Sequence, residues 1–249
     1  MRLEGKVAIV TGASSGFGEA IAKHFAEEGA NVLLCDINAE GGEKLATTSD
    51  AFAFQKMDVS KAAEWDAAID AAIKAWGKID ILVNNAGTSY KNKPTNEVTE
   101  EEFDKVFAVN VKSVFLGSNA FTKRVIKQGT GGVIVNIASV GVHRPRPGLV
   151  WYNASKGAVA NATMGLAAEY GPHKIRVNSV CPLATATGLL QTFIGKEITP
   201  EMRAQITASV PLGRLGEVRD VSNATVWLAS DEASFVTGVN LDVDGGRAI

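Results

Sequence analysis

Tyr152 and Lys156 stand four residues apart in the segment Val150-Trp151-Tyr152-Asn153-Ala154-Ser155-Lys156-Gly157. In a helix that spacing puts both side chains on one face, one turn apart, and brings an ammonium towards a phenol. A free phenol titrates near pH ~10 and carries protons poorly at neutral pH. A neighbouring positive charge favours the phenolate and lowers that value. Tyr152 is therefore a candidate general acid or base, and Lys156 the group that tunes it. Tyr-x-x-x-Lys also arises by chance on helix surfaces, so the pair takes its meaning from the elements around it.

Those elements alternate along the whole chain. Buried strands are expected at Lys6 to Thr11, Asn31 to Asp36, Ile79 to Asn84, Gly132 to Ala138, Ile175 to Cys181 and Val239 to Val243, with a weaker one at Ala51 to Met57. Helical patterns lie between them at Gly18 to Glu28, Glu64 to Trp76, Glu101 to Gln128, Val150 to Tyr170 and Val218 to Ala229. Continuous apolar runs of strand length suit parallel strands covered on both faces. Strand and helix in alternation predict an α/β fold, a Rossmann-like doubly wound parallel sheet with helices on both faces. No repeat, low-complexity tract or linker divides the chain, so residues 1–249 are expected to form a single domain.

The first strand runs into Thr11-Gly12-Ala13-Ser14-Ser15-Gly16-Phe17-Gly18, where a helix begins. Glycine lets the backbone turn tightly and approach a ligand closely. The free N–H groups and positive dipole at the helix start favour a phosphate. A glycine-rich turn between a first strand and a helix is the context a dinucleotide fingerprint requires, with Gly12, Ser14, Ser15, Gly16, Phe17 and Gly18 as candidate contacts. Asp36 ends the second strand about twenty positions on, where a carboxylate accepts from the ribose hydroxyls of adenosine. It would repel a 2′-phosphate, and Ile37, Asn38 and Ala39 after it bring no positive charge. NAD(H) is favoured over NADP(H).

Asp58 could receive an adenine amino group with Val59 and Ile37 beside the ring, or could simply cap a helix starting near Lys61. Asn84-Asn85-Ala86-Gly87 ends the fourth strand. Asn85, Ala86 and Gly87 would let a cofactor cross the sheet edge, or form a plain turn.

Taken together, TGASSGFG, NNAG, Asn110, Ser139 and YNASK resemble the classical short-chain dehydrogenase/reductase family over almost the whole chain. Thirteen positions separate Ser139 from Tyr152, a spacing that family commonly shows. The resemblance implies a seven-stranded sheet, an active site of Asn110, Ser139, Tyr152 and Lys156, and a homotetramer, with dimers known. Tyr152 would exchange a proton with an alcohol or ketone oxygen while a hydride moves to or from nicotinamide. Ser139 would steady the charge on that oxygen. Lys156 would lower the phenol pKa and hold the nicotinamide ribose, and Asn110 would fix a water linking Lys156 to solvent. The plainer role for Asn110 is a bond to a neighbouring helix carbonyl.

After the sixth strand relatives carry Pro-Gly and then a Thr that contacts the nicotinamide amide. Here the chain reads Pro182-Leu183-Ala184-Thr185-Ala186-Thr187, so Pro182, Thr185 and Thr187 are candidate cofactor contacts and Leu183 replaces the glycine. Leucine takes positive φ at a cost, so a different path or a narrowed site is expected there. Residues about 183–212 correspond to a substrate lid in relatives; Leu189, Leu190, Phe193, Ile194 and Met202 would make it apolar, or would pack an interface or a small core. Arg144 and Arg146 could bind a substrate anion, but solvation or acidic neighbours are expected to hold them. Trp151 and Tyr90 could line the pocket or be structural. His143 lacks ligand company in sequence and no metal site is expected.

Composition narrows the function classes. A net charge of -2 without a polybasic block disfavours nucleic acid. No apolar run reaches the ~20 residues of a membrane span, and the first residues lack the core of a signal peptide. Cys35 and Cys181 sit in apolar runs and read as buried free thiols of a cytoplasmic protein. Three readings follow. The first is an NAD-dependent oxidoreductase of a secondary alcohol or ketone, a small cyclic alcohol or sugar; the second is a 3-oxoacyl thioester reductase; the third is a non-catalytic NAD sensor.

Overall fold

The computed structural model describes residues 1–183, 185, 192–193 and 199–249. Seven parallel strands form one sheet in the order β3-β2-β1-β4-β5-β6-β7. They are β1 Val7–Thr11, β2 Asn31–Asp36, β3 Phe52–Lys56, β4 Ile81–Asn84, β5 Gly132–Ile137, β6 Ile175–Pro182 and β7 Asn240–Val243. The expected doubly wound sheet is found, and the weak strand near Phe52 is its edge.

Helices α1 Gly16–Glu27, α2 Ala39–Ala46, α3 Ala62–Trp76, α4 Glu100–Phe107, α5 Ser113–Gln128, α6 Val150–Tyr170, α7 Pro200–Ala208 and α8 Val218–Ala229 surround it. The strand alternation explains why both faces are covered. Ala8 and Val10 point into a core shared with Ile21 and Phe25 of α1 and Val226 of α8. Val7 and Ile9 point the other way, onto Trp65 and Ile69 of α3 and Phe121 of α5.

Helices α2 and α7 escaped the sequence pattern. α2 is short and holds Gly41 and Gly42, yet Asn38 caps it by accepting from the Gly41 amide at 3.2 Å. A Cβ on Gly42 would stand 2.0 Å from the Phe54 ring, so that glycine lets the helix lie on β3. α7 carries Thr199 as N-cap followed by Pro200, a start signal the sequence did contain.

The segment read as one helix from Glu101 to Gln128 is interrupted. α4 opens with a capping box between Thr99 and Glu102. A π-helical turn, Ala108–Lys112, then joins it to α5. π turns commonly mark functional positions, and this one carries Asn110. Among the described residues no helix is long and apolar enough to cross a membrane. Cys35 and Cys181 are buried free thiols, as expected.

Candidate active site

Chain order reverses between β1 and β4, which lie side by side. In such sheets a crevice opens beyond the carboxyl ends of the strands at that point. A cavity of about 940 Å³ lies there, reaching from the glycine-rich turn past β4 to Ser139 and Tyr152.

The turn's geometry depends on its glycines. Gly12 and Gly16 take φ of +64° and +58°, a region L side chains rarely adopt. Ser15 starts α1 in extended conformation without a side-chain cap. The first helical bond runs from Glu19 N to Ser15 O at 3.2 Å, which leaves the Gly16 and Phe17 amides at the cavity wall without a helical acceptor. Gly18 is buried under the turn instead of lining the cavity: a Cβ there would stand 2.1 Å from Gly12 O and 2.5 Å from Asn85 Nδ2. Its place in the structure is one of packing between α1 and the turn.

Asn85 locks the same turn. Its Nδ2 donates to Thr11 O at 2.7 Å and Gly12 O at 3.2 Å. The amides of Asn85 and Ala86 both donate to Thr11 Oγ1, at 3.0 and 3.1 Å. Asn84, one residue earlier, points into the sheet: its Nδ2 donates to Asn136 Oδ1 at 2.9 Å, and Asn136 Nδ2 to Thr163 Oγ1 at 2.9 Å.

Asp36 is held over the turn by two backbone donors, Ser14 N at 3.0 Å and Asn38 N at 2.9 Å. Ile37 beside it is 66% exposed at the cavity rim. Asp58 does not cap α3, whose N-cap is Lys61. Its carboxylate accepts from Ser60 Oγ at 2.7 Å and Ser60 N at 2.9 Å, and the hydroxyl bond is the main reason its pKa lies below the usual value. Val59 is buried at the same wall.

Ser139, Tyr152 and Lys156 come together at the other end. Ser139 follows β5 and its Oγ accepts from Gly141 N at 3.1 Å, which aims the hydroxyl. Tyr152 and Lys156 are 8% and 5% exposed on α6. Lys156 Nζ donates to Ile137 O at 2.7 Å. Burial pushes the phenol up to about 12, while a hydrogen bond with Ser139 works the other way. Burial also pushes Lys156 down to about 8. In the protein alone desolvation dominates at Tyr152, and the Lys156 ammonium is directed at a backbone carbonyl.

Asn110 is buried and does not line the cavity. Its Oδ1 accepts from Thr88 N at 2.8 Å, and its Nδ2 donates to Thr88 O at 2.9 Å and Ser155 Oγ at 3.0 Å. It ties α6 to the loop after β4, a long-range tie and not the helix-carbonyl bond considered above. Gly87 marks the meeting point: a Cβ there would lie 3.4 Å from Lys156 Nζ and 3.5 Å from Asn110 Oδ1.

Pro182, Leu183 and Thr185 line the cavity. Among the described residues Lys174 is the non-glycine residue with positive φ, so Leu183 meets no left-handed requirement, and its side chain narrows the cavity. Thr185 Oγ1 donates to Leu183 O at 3.1 Å. Thr187, Leu189, Leu190 and Ile194 lie outside the described residues. Phe193 packs on Tyr152 with ring centroids 4.9 Å apart. Tyr90 is structural in that its hydroxyl accepts from Trp151 N at 3.0 Å.

Sequence reasoning missed Asn153, Ile206, Ser209 and Arg247 on the cavity wall. The last three come from α7, just after it and the final turn, far along the chain, and only folding brings them here. It also denied His143 any ligand company. Folding gives it some: ligand atoms of His143, Cys181 and Asp242 lie within 4.8 Å of one another, with His143 Nε2 3.5 Å from Asp242 Oδ1.

Comparison with known proteins agrees with this fold. A family model described as enoyl-(acyl carrier protein) reductase matches residues 12–248. The chain is 47% identical to a 4-formylbenzenesulfonate dehydrogenase of Comamonas testosteroni, with all of both chains covered. It is 39% identical to a 2,5-dichloro-2,5-cyclohexadiene-1,4-diol dehydrogenase of Sphingobium indicum, covering all of this chain and 98% of that one. A crystal structure of a 3-ketoacyl-(acyl-carrier-protein) reductase from Brucella melitensis with NADH superposes with a TM-score of 0.92 at 46% identity, covering 99% of this chain and all of that one.

Proposed function

The chain belongs to the short-chain dehydrogenase/reductase family of oxidoreductases, and from that premise we propose that it moves a hydride between NAD(H) and a secondary alcohol or its ketone, the substrate being a small cyclic alcohol or a sugar. One observation carries the reading: Ser139, Tyr152 and Lys156 share a cavity with a glycine turn over which Asp36 is fixed. The chain suits the dinucleotide. Unbonded amides at the start of α1 fit a pyrophosphate. Asp36 fits the ribose hydroxyls, Asp58, Val59 and Ile37 fit the adenine, and Gly87 leaves room beside Lys156 for the second ribose. Pro182 and Thr185, on the cavity wall, would hold the amide of the nicotinamide, with Thr187 the further candidate. When bound, nicotinamide supplies or accepts the hydride.

The protein's part is the proton. Burial keeps Tyr152 protonated at neutral pH, so its hydroxyl is ready to donate to a ketone oxygen, with the Ser139 hydroxyl as second donor. In the oxidative direction the phenolate must form, and Lys156 one turn away is the cation that would favour it. Asn110 holds the Thr88 loop and Ser155 in place, and its Oδ1 near Lys156 suits a water-linked proton path. Residues about 183–212, with α7 and Phe193, would act as a lid that keeps water from the transfer.

The named activities of the relatives, on an aromatic aldehyde and a cyclic diol, support a cyclic substrate. The 3-ketoacyl reductase named for the superposing structure, with NADH, keeps a 3-oxoacyl thioester as the second reading. We place the enzyme in the cytoplasm as a homotetramer. Phe115 on α5 and Met164 on α6, 60% and 46% exposed, support a subunit contact on those helices. The test is NADH absorbance across cyclic alcohols and ketones, aldoses and acetoacetyl thioesters, each with NAD(H) and NADP(H), in wild type and Tyr152→Phe. Turnover with NAD(H) that falls by roughly 100-fold or more in Tyr152→Phe, with NADH binding retained, is expected. Preference for NADP(H) overturns the role of Asp36, and undiminished turnover in the variant overturns the mechanism. Binding without any turnover would favour the sensor.

A further inference from the structure

Three arginines meet where the cavity opens towards the loop after β5. Arg144 and Arg146 come from that loop, and Arg247 from the final turn of the chain. Arg144 Nη1 donates to Arg247 O at 2.6 Å, so the two segments are joined. Pro145 and Pro147 flank Arg146 and restrict its backbone. The Arg146 carbonyl accepts from Asn153 Nδ2 at 3.0 Å, one residue beyond Tyr152 on α6. The final turn is braced by Asp244, whose carboxylate accepts from Gly246 N at 2.8 Å and Ala248 N at 2.6 Å.

What the cluster lacks is an anion. Solvation or acidic neighbours were expected to hold Arg144 and Arg146, and both side chains are exposed. Among the described residues no carboxylate forms an ion pair with Arg144, Arg146 or Arg247. Arg247 Nη1 is buried with no hydrogen-bond partner at all. A buried donor without a partner is costly, and a planar guanidinium is built to meet the paired oxygens of an oxyanion. The whole chain carries net charge -2, so this concentration of positive charge is local.

We propose that Arg144, Arg146 and Arg247 seat an oxyanion, a sulfonate or carboxylate carried by the substrate away from its reacting carbon. This rests on the oxidoreductase reading above and deepens it. The cofactor's own phosphates are a poor alternative occupant. They belong at the turn after β1, and β4 stands between β1 and β5, a separation of roughly 10 Å. Arg247 also has its pKa lowered, first by burial and then by Arg144 and Arg146. An anion between them relieves both effects.

The experiment compares matched ketones, acetophenone against 4-acetylbenzoate and 4-acetylbenzenesulfonate, with NADH and wild type, Arg146→Gln or Arg247→Gln. The ratio of kcat/KM for the anionic ketone to that for the neutral one is expected to fall about 10- to 100-fold in each variant, mostly through KM. Added salt should raise KM for the anionic ketones alone. A second arm titrates benzenesulfonate and benzoate, which cannot react, into the protein–NADH complex by calorimetry. Binding that weakens about 10-fold in the variants supports the seat even if no ketone turns over, in which case the hydride reading fails and this one stands. Wild type that is indifferent to the anionic group in both arms overturns the proposal. So do variants that alter oligomeric state while anion binding is unchanged, because the arginines would then belong to a subunit contact.

Discussion

Replacing Gly18 by alanine tests the cofactor end of the cavity at its tightest point. The new Cβ would stand 2.1 Å from Gly12 O and 2.5 Å from Asn85 Nδ2. An ordinary carbon–oxygen contact is roughly 3.3 Å, so α1 or the turn must retreat by roughly 1 Å. Neither partner swings aside freely, since Gly12 O is backbone and Asn85 Nδ2 is bonded to Thr11 O and Gly12 O. Overpacking of this kind costs ~1–3 kcal/mol, and a lost Asn85 bond adds ~1 kcal/mol. For a chain of this size ~2–4 kcal/mol lowers the melting temperature by roughly 5–15 °C. The amides of Gly16 and Phe17 move with α1, so NADH affinity should drop about 10- to 100-fold. Gly216→Ala is the control, because its Cβ would meet only Thr185 Oγ1 at 3.9 Å and Asp220 Oδ2 at 4.0 Å. Thermal melts and NADH fluorescence titration read both quantities. Gly18→Ala that melts and binds like Gly216→Ala refutes the reasoning.

Lys156→Met should stabilise the cofactor-free protein at pH 7 while abolishing turnover. With its pKa lowered from 10.5 to about 8, the buried ammonium costs roughly 3 kcal/mol below pH 8. The unfolded chain binds the extra proton between those values, so wild-type stability rises with pH there and the gap to the variant closes. Denaturant titrations at pH 7 and pH 10 check this; a variant less stable at pH 7, or a gap that persists, contradicts it. Asp36→Ala should shift the NADPH-to-NADH preference about 10- to 100-fold towards NADPH by removing like-charge repulsion, read from paired kcat/KM values. Phe115→Asp should lower the oligomeric state seen by light scattering, and an unchanged oligomeric state would place the proposed contact elsewhere.

The glycine turn, Asp36 and the Ser139–Tyr152–Lys156 set were legible because each is bound to a local pattern: a strand end, a helix start, a fixed spacing. The sheet was legible for a similar reason, since buried parallel strands are continuous apolar runs. What stayed hidden depends on contacts made across the chain. Asn85 lines the cavity, and only the fold shows that its N–H groups also lock the glycine turn. Arg247 has no sequence neighbour that announces it; the β6–β7 pairing, the Asp244-braced turn and the bond from Arg144 bring it to the cavity. Spacing reveals a charge near Tyr152 but not the depth of burial, which pushes the phenol the other way. α2 was hidden by Gly41 and Gly42, poor helix formers; Phe54 leaves no room for a Cβ at Gly42, and Asn38 Nδ2 would stand 2.7 Å from one at Gly41.

The π turn at Ala108–Lys112 has a consequence for angular phase. Each residue of an α-helix advances the side-chain direction by about 100°, so one additional residue per turn offsets everything downstream by that much. α4 directs Val106 at Leu149 and Tyr152, while α5 directs Phe121 and Val125 at the sheet. Continuity of the rod and continuity of its apolar stripe are thus uncoupled, and Asn110 sits at the slip between the two stripes. Deleting one residue there would preserve a helix yet rotate α5 against the sheet, so this stretch tolerates changes of residue far better than changes of length.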